Sequence, residues 1–435
     1  MSGPTRKKIA IRAVFIIYVI ILLCEMTLNI VESFGNTTFY KELLTKYFSF
    51  GDWLINYEGG FVRRGLTGEI LLNIYNYTNI DLCVLTHIIS IVSTLILITF
   101  TTILFVRKKL SLTILPTVIM MGTFAINEIT SFRRDALMLL IIFITLYLYS
   151  KYNSVKSSKW AYYLLFNLTG VLLILTHEAS FFCFVPYIFI HSLFANSKNG
   201  LITKGIKGLG CTIPIIIAMC LVCHFKGNEE TANSIWNSYQ DYFCDAFDQR
   251  LPLGKATEAL TWDSIETFKF HFGTNYLMPI HSKIPIPKFF AWAVIYMLTF
   301  YLCANVNRIK LFGYEKEEDN YTHLTESLII QFISLLPMFT ILSCDLGRIV
   351  LYWTVTSFFI YALFDKETRN IPFITNLSNW TNRIFNTRIL YGRKLYLFIS
   401  ITIMCPLIMF AIVEAIKTSV IGNIYNFIQR LLTLI

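Results

Sequence analysis

Four short stretches carry side chains that could act on an anionic substrate. The first, GDWLINYEGGFVRRGLTGEIL, holds Asp52 and Glu58 before Gly59 and Gly60, and the adjacent pair Arg63 and Arg64 after them. Glycine permits a sharp bend or a positive φ without Cβ strain. The string therefore predicts a tight turn with a carboxylate on one arm and two guanidinium groups on the other. Arginine grips phosphate oxygens two at a time, and a carboxylate a few residues away is a candidate general base. The bland alternative is a surface loop with internal ion pairs.

The second stretch, NEITSFRRDA, contains Arg133, Arg134 and Asp135. Asp135 is placed to open a helix, where the N-terminal dipole favours negative charge; the two arginines need anionic partners, whether a phosphate, a lipid headgroup, or Glu58 and Glu178. The third, THEAS, sets His177 beside Glu178 between apolar runs. Both need partners once dehydrated, and an imidazole can hold a diphosphate or orient an acceptor hydroxyl near neutral pH. His191 is too far away for an HExxH zinc site. The fourth, CDLGR, separates Asp345 from Arg348 by two residues. It reads either as a local salt bridge closing a turn or as one more phosphate ligand.

The elements that must position these groups follow from composition. The chain has 435 residues, 55% of them hydrophobic and only 15% charged, with a mean hydropathy of +0.58. Soluble domains carry about 25% charge, so a water-facing globule is excluded, and 16% aromatic content excludes disorder. At about 20 apolar residues per crossing, the expectation is an all-α polytopic membrane protein with about eleven spans. These fall near residues 9–30, 82–106, 111–126, 137–150, 160–176, 179–195, 209–224, 289–306, 327–343, 349–364 and 395–414.

The net charge of +10 suggests orientation by cytoplasmic Lys and Arg before it suggests nucleic acid. A cytoplasmic N-terminus places most basic clusters inside. It also places the four reactive stretches outside, where short turns would set their charges just below the outer surface. Two larger extracytoplasmic loops, 31–81 and 225–288, would roof them. The whole chain reads as one transmembrane domain, 1–435, ending in an amphipathic segment, 419–435 (VIGNIYNFIQRLLTLI from Val420). Most of the ten cysteines lie in apolar runs, and the Cys220–Cys223 pair reads as membrane-core thiols. No zinc spacing appears, no cofactor is predicted, and a divalent metal has no ligand pattern to support it.

With GGFVRRGL, FRRD, HE and DLGR in these places, the chain resembles polytopic membrane proteins of bacterial surface-polysaccharide loci. The likeness is to lipid-linked-sugar glycosyltransferases and O-antigen or capsule polymerases of the GT-C type. In that family the first outer loop carries an acidic catalytic residue, and outer-facing Arg or His binds a polyprenyl (di)phosphate donor. The resemblance makes Asp52 and Glu58 the matching carboxylates, with Arg63 and Arg64 near the phosphate.

The expected activity is sugar transfer from a polyprenyl-(di)phosphate donor to a glycan acceptor, on the extracytoplasmic face of a bacterial inner membrane. Glu58 would act as base, with Asp52 and Glu178 the runners-up. Arg63, Arg64, Arg133, Arg134 and Arg348 would offset the departing phosphate, and His177 would orient the acceptor. The expected partners are the lipid-linked glycan, the bilayer and other polysaccharide-assembly proteins, with no nucleic acid. Two rivals stand beside it: a transporter or flippase of the same lipid-linked glycan, which should place charges deep within spans, and a membrane O-acyltransferase built around a histidine.

Overall fold

The computed structural model describes residues 48–107, 133–154, 157–194, 200–243, 255–281, 284–287, parts of 289–303, 319–343, 345–364 and 371–385. The expected spans 9–30, 111–126 and 395–414, most of 289–306, residues 31–47 of the first loop and the segment 419–435 lie outside them. The chain divides into two compact units: Leu28–Leu97 with Glu128–Lys269, and Met1–Thr27 with Ile98–Asn127 and Phe270–Ile435.

The unit containing Leu28–Leu97 is helical. Helix α1 (Phe48–Leu54) leads into α2 (Gly65–Thr78), followed by α3 (Leu82–Arg107), α4 (Asp135–Ser154), α5 (Lys159–Thr176), α6 (Phe181–Phe194) and α7 (Leu201–His224). Two shorter helices follow, α8 (Glu229–Asn237) and α9 (Lys255–Thr261). Four of these, α3, α4, α5 and α7, are long and apolar enough to cross a membrane, and α6 is a shorter apolar helix. On α5, Leu164, Leu168 and Leu172 are exposed at helical spacing, while Phe166, Leu173 and Ile174 are buried. Apolar residues therefore cover both the packed face and the outward one, the pattern of a helix whose surroundings are lipid.

Helix α4 packs along α5, and α5 and α6 pack on α7. Small residues permit the approach: a Cβ at Gly170 would lie 2.5 Å from Ile215 Cδ1. Asn167 on α5 donates to the Cys211 carbonyl of α7 at 3.1 Å. Cys220 and Cys223 are free thiols, exposed along α7.

Helices α1 and α2 pack with α8 and α9 around Phe50, Trp53, Ile55, Val62, Ile235, Tyr239 and Leu260. The segment after α1 lies against the first turn of α2, where a Cβ at Gly68 would be 2.0 Å from the Ile55 carbonyl oxygen. Asn228 caps α8 by accepting from the Thr231 amide at 2.8 Å.

The other unit contains a short antiparallel pair, β1 (Pro279–His281) with β2 (Ile284–Pro287), so the fold is predominantly rather than wholly helical. Its helices are α10 (Asp319–Ser334), α11 (Leu336–Thr340), α12 (Leu346–Leu363) and α13 (Pro372–Phe385). Helix α10 packs on both α12 and α13, and the Trp353 indole donates to the Leu328 carbonyl at 2.8 Å. The expected span 327–343 is two helices here. Pro337, with no N–H to give, sits in the first turn of α11, and α10 stops at Ser334.

Candidate active site

The bend before α2 forms as the glycines predict. Gly60 donates to the Tyr57 carbonyl at 2.9 Å and adopts φ +94°. Four residues on, Arg64 sits at the N-cap of α2 in the left-handed region, φ 65° and ψ 7°. That conformation costs a non-glycine residue about 1–2 kcal/mol and persists where surrounding structure over-determines it. Here the restraint comes from the Arg64 side chain.

The Arg64 guanidinium forks onto Glu178. Its Nε donates to Oε1 and Oε2 at 3.0 and 2.9 Å, and its Nη2 reaches Oε1 at 2.5 Å. Its Nη1 donates to Asp52 Oδ1 at 3.1 Å. The other oxygen of Asp52 meets Arg134, at 2.9 Å from Nε and 2.7 Å from Nη2. Arg134 Nη1 then donates to Thr67 Oγ1 at 2.6 Å. Two carboxylates and two guanidiniums thus form a neutral chain, Glu178–Arg64–Asp52–Arg134, drawn from three remote segments.

The network is graded in depth. The side chains of Arg134 and Asp52 are 2% and 6% exposed, while those of Arg64 and Glu178 are each 18% exposed. Burial alone would push the Glu178 carboxyl up; the adjoining Arg64, then His177, overcome it and hold the group well below the usual carboxylate range. Burial likewise works against the Arg64 charge, but Glu178 and Asp52 raise its pKa above the ordinary value. Arg134 is shifted down by burial, against the pull of Asp52.

His177 ends α5 and caps the 3-10 turn Glu178–Ser180, its Nδ1 accepting from the Ala179 amide at 3.2 Å. An accepting Nδ1 leaves the ring proton on Nε2. That Nε2 is buried without a hydrogen-bond partner. Burial, then the neighbouring Arg64, lower the His177 pKa to about 3, so the ring is neutral at physiological pH. Arg63 lies at the edge of the same group. Its amide donates to the Phe225 carbonyl, its Nη2 to the Ala259 carbonyl at 2.5 Å, and its Nε is buried with no hydrogen-bond partner.

The remaining expected residues are placed as follows. Glu58 is exposed at the tip of the bend, its amide donating to Asn56 Oδ1. Asp135 opens α4 and is buried. Arg133 offers its carbonyl to Ser90 Oγ at 3.0 Å. In the other unit, Arg348 closes a turn from its amide to the Asp345 carbonyl and reaches Tyr352 Oη at 3.5 Å. Among the described residues, no group of three or more His, Cys, Asp or Glu is arranged to hold a metal. Sequence reasoning missed Thr67, which completes the shell of Arg134; its place one turn after Arg64 on α2 was the only available signal.

The chain is thus a helical protein with helices of membrane-spanning length and a buried charge network at their ends. No known protein family matches it, and neither a curated protein nor a solved structure shows similarity to it.

Proposed function

We propose that the chain is an integral-membrane glycosyltransferase or polysaccharide polymerase. It would take sugar from a polyprenyl-(di)phosphate donor on the extracytoplasmic face of a bacterial inner membrane. One observation carries the reading: Arg64, in a strained backbone conformation, holds a partly exposed carboxylate at the end of an apolar helix. Arg134 and Asp52 brace it from behind.

In this reading Arg63 and Arg64 receive the donor phosphate. Glu178 takes over from Glu58 as general base, because of the two carboxylates on Arg64 it is the more exposed one. Glu178 accepts the proton of the acceptor hydroxyl as that oxygen bonds to the anomeric carbon. The carbon–oxygen bond to phosphate breaks, and its electron pair leaves on the phosphate beside Arg64.

The test is transfer of labelled sugar from an undecaprenyl-diphosphate donor by the purified protein in nanodiscs. Arg64→Met and Glu178→Gln should each lower the rate about 10²–10³-fold, the usual loss for one preorganised charge-stabilising group. Wild-type rates in both variants would overturn the assignment. A second reading, transport of the same lipid-linked glycan, draws on Glu326 and His323, both buried within α10. Proteoliposomes that separate lipid translocation from sugar transfer decide between the two.

A further inference from the structure

We infer that the base of this site is masked in the resting protein and is released only when a diphosphate displaces Glu178 from Arg64. The inference rests on the transferase reading above and adds an order of events to it: donor first, acceptor second.

The geometry separates the two halves of the network. Asp52 is held from both sides, Oδ1 by Arg64 and Oδ2 by Arg134, and its partner Arg134 is sealed from solvent. Among the described residues Glu178 receives hydrogen bonds from Arg64 alone, and this outer pair is the one reached from solvent. A carboxylate with both oxygens on one guanidinium fork has little basicity to offer a hydroxyl. The same fork fits two phosphate oxygens. Exchange therefore leaves Arg64 satisfied and frees Glu178.

Two buried donors give a diphosphate an advantage over the carboxylate it replaces. His177 is 5% exposed, and its protonated Nε2 has no hydrogen-bond partner. Arg64 and Glu178 are the charges that act on it most strongly. Arg63 Nε is also buried with no hydrogen-bond partner, and Glu178 and Arg64 are its strongest charged neighbours. A carboxylate has two oxygens, both already committed here. A diphosphate brings more charge and further oxygens for these idle donors. Until it arrives, no free base among the described residues stands on Arg64 to activate water.

The test measures binding of farnesyl diphosphate, a short polyprenyl diphosphate, to the full chain in nanodiscs. Removing the competitor should tighten binding: Glu178→Gln at least tenfold over wild type, and Glu178→Asp, which keeps the charge on a shorter arm, by a lesser factor. Arg64→Met should abolish binding in either background. Glu229→Gln makes the same charge change at an exposed residue of α8 and should leave affinity within twofold of wild type. Equal or weaker binding by folded Glu178→Gln and Glu178→Asp, with wild type binding normally, overturns the displacement and leaves the phosphate site standing. An equal gain from Glu229→Gln also overturns it, because net charge alone would then explain the effect. If folded wild type and Glu178→Gln both ignore the probe, the transferase reading itself fails.

Discussion

The two units each bury a carboxylate in a different way. In one, Asp52 lies between Arg64 and Arg134, with Glu178 closing the chain of charges. In the other, Glu326 is equally withdrawn, at 2% exposure, but its Oε1 accepts from the Thr375 hydroxyl at 2.7 Å and its Oε2 lies 3.8 Å from His323 Nδ1. His323 is one turn away on the same helix, so that pair forms wherever α10 forms. The Asp52 network needs α2, α4 and the α5–α6 turn to arrive together. One region distributes full charge over remote segments, and the other relies on local geometry and one hydroxyl. The first should therefore fail cooperatively when any member is lost, and the second should yield gradually.

Removing Arg134 is the most severe test of that contrast. Arg134→Met takes from Asp52 the guanidinium on its Oδ2, and removing one partner of a buried charge pair costs about 3–5 kcal/mol. Thermal unfolding in detergent should show this loss, and the double variant Asp52→Asn/Arg134→Met should recover part of it. Additive losses would mean that the two residues do not act as a pair. Next comes Gly68→Ala, whose Cβ would meet the Ile55 carbonyl at 2.0 Å. Overpacking of this kind costs about 1–3 kcal/mol. It should also displace the first turn of α2, which carries Thr67 and follows Arg64, so anion binding should fall along with stability.

Hydropathy found the helices better than it found the site. The expected span 160–176 is α5 within a residue, and 137–150 lies inside α4. Helix α7 begins at Leu201 rather than near 209, because Lys204, Gly205, Lys207 and Gly208 break the apolar run without breaking the helix. The end of α10 at Ser334 was hidden for the opposite reason: Leu335, Leu336 and Pro337 continue the apolar run while the backbone turns. The charged residues themselves stood out against apolar flanks. Their pairing did not, since it depends on α2 lying close enough to Ile55 to bring Asp52 and Arg64 together. Arg134 was expected to seek Glu58, Glu178 or a ligand, and it is held by Asp52.

Acid sharpens the comparison from the charged side. His177 is neutral in the fold with its pKa lowered to about 3, against an ordinary 6.5, so below 6.5 the unfolded chain binds a proton that the folded chain refuses. The His177 contribution to stability should therefore be constant above pH 6.5 and fall as pH drops towards 3, at a slope approaching 1.4 kcal/mol per pH unit. Glu178, held below its ordinary 4.5, adds a loss of the same sign only below that pH. His177→Asn should remove this share of the acid destabilisation and lower the slope between pH 6.5 and 4.5. An unchanged slope would assign the acid limb to other groups.

The smallest effect is expected at Glu326. Glutamine keeps its length and an oxygen to accept from Thr375, and there is no guanidinium among its described partners to leave stranded. Glu326→Gln should shift unfolding by less than about 1 kcal/mol. Thr375→Val removes one buried donor and should cost about 1 kcal/mol, loosening α13 from α10 at their shared hydroxyl contact. The two changes made together should cost less than their sum, because glutamine weakens and valine removes the same bond. A loss at Glu326→Gln as large as that at Arg134→Met would erase the distinction between the two regions. It would mean that α10 depends on a full negative charge, as a site for a transported cation or proton requires.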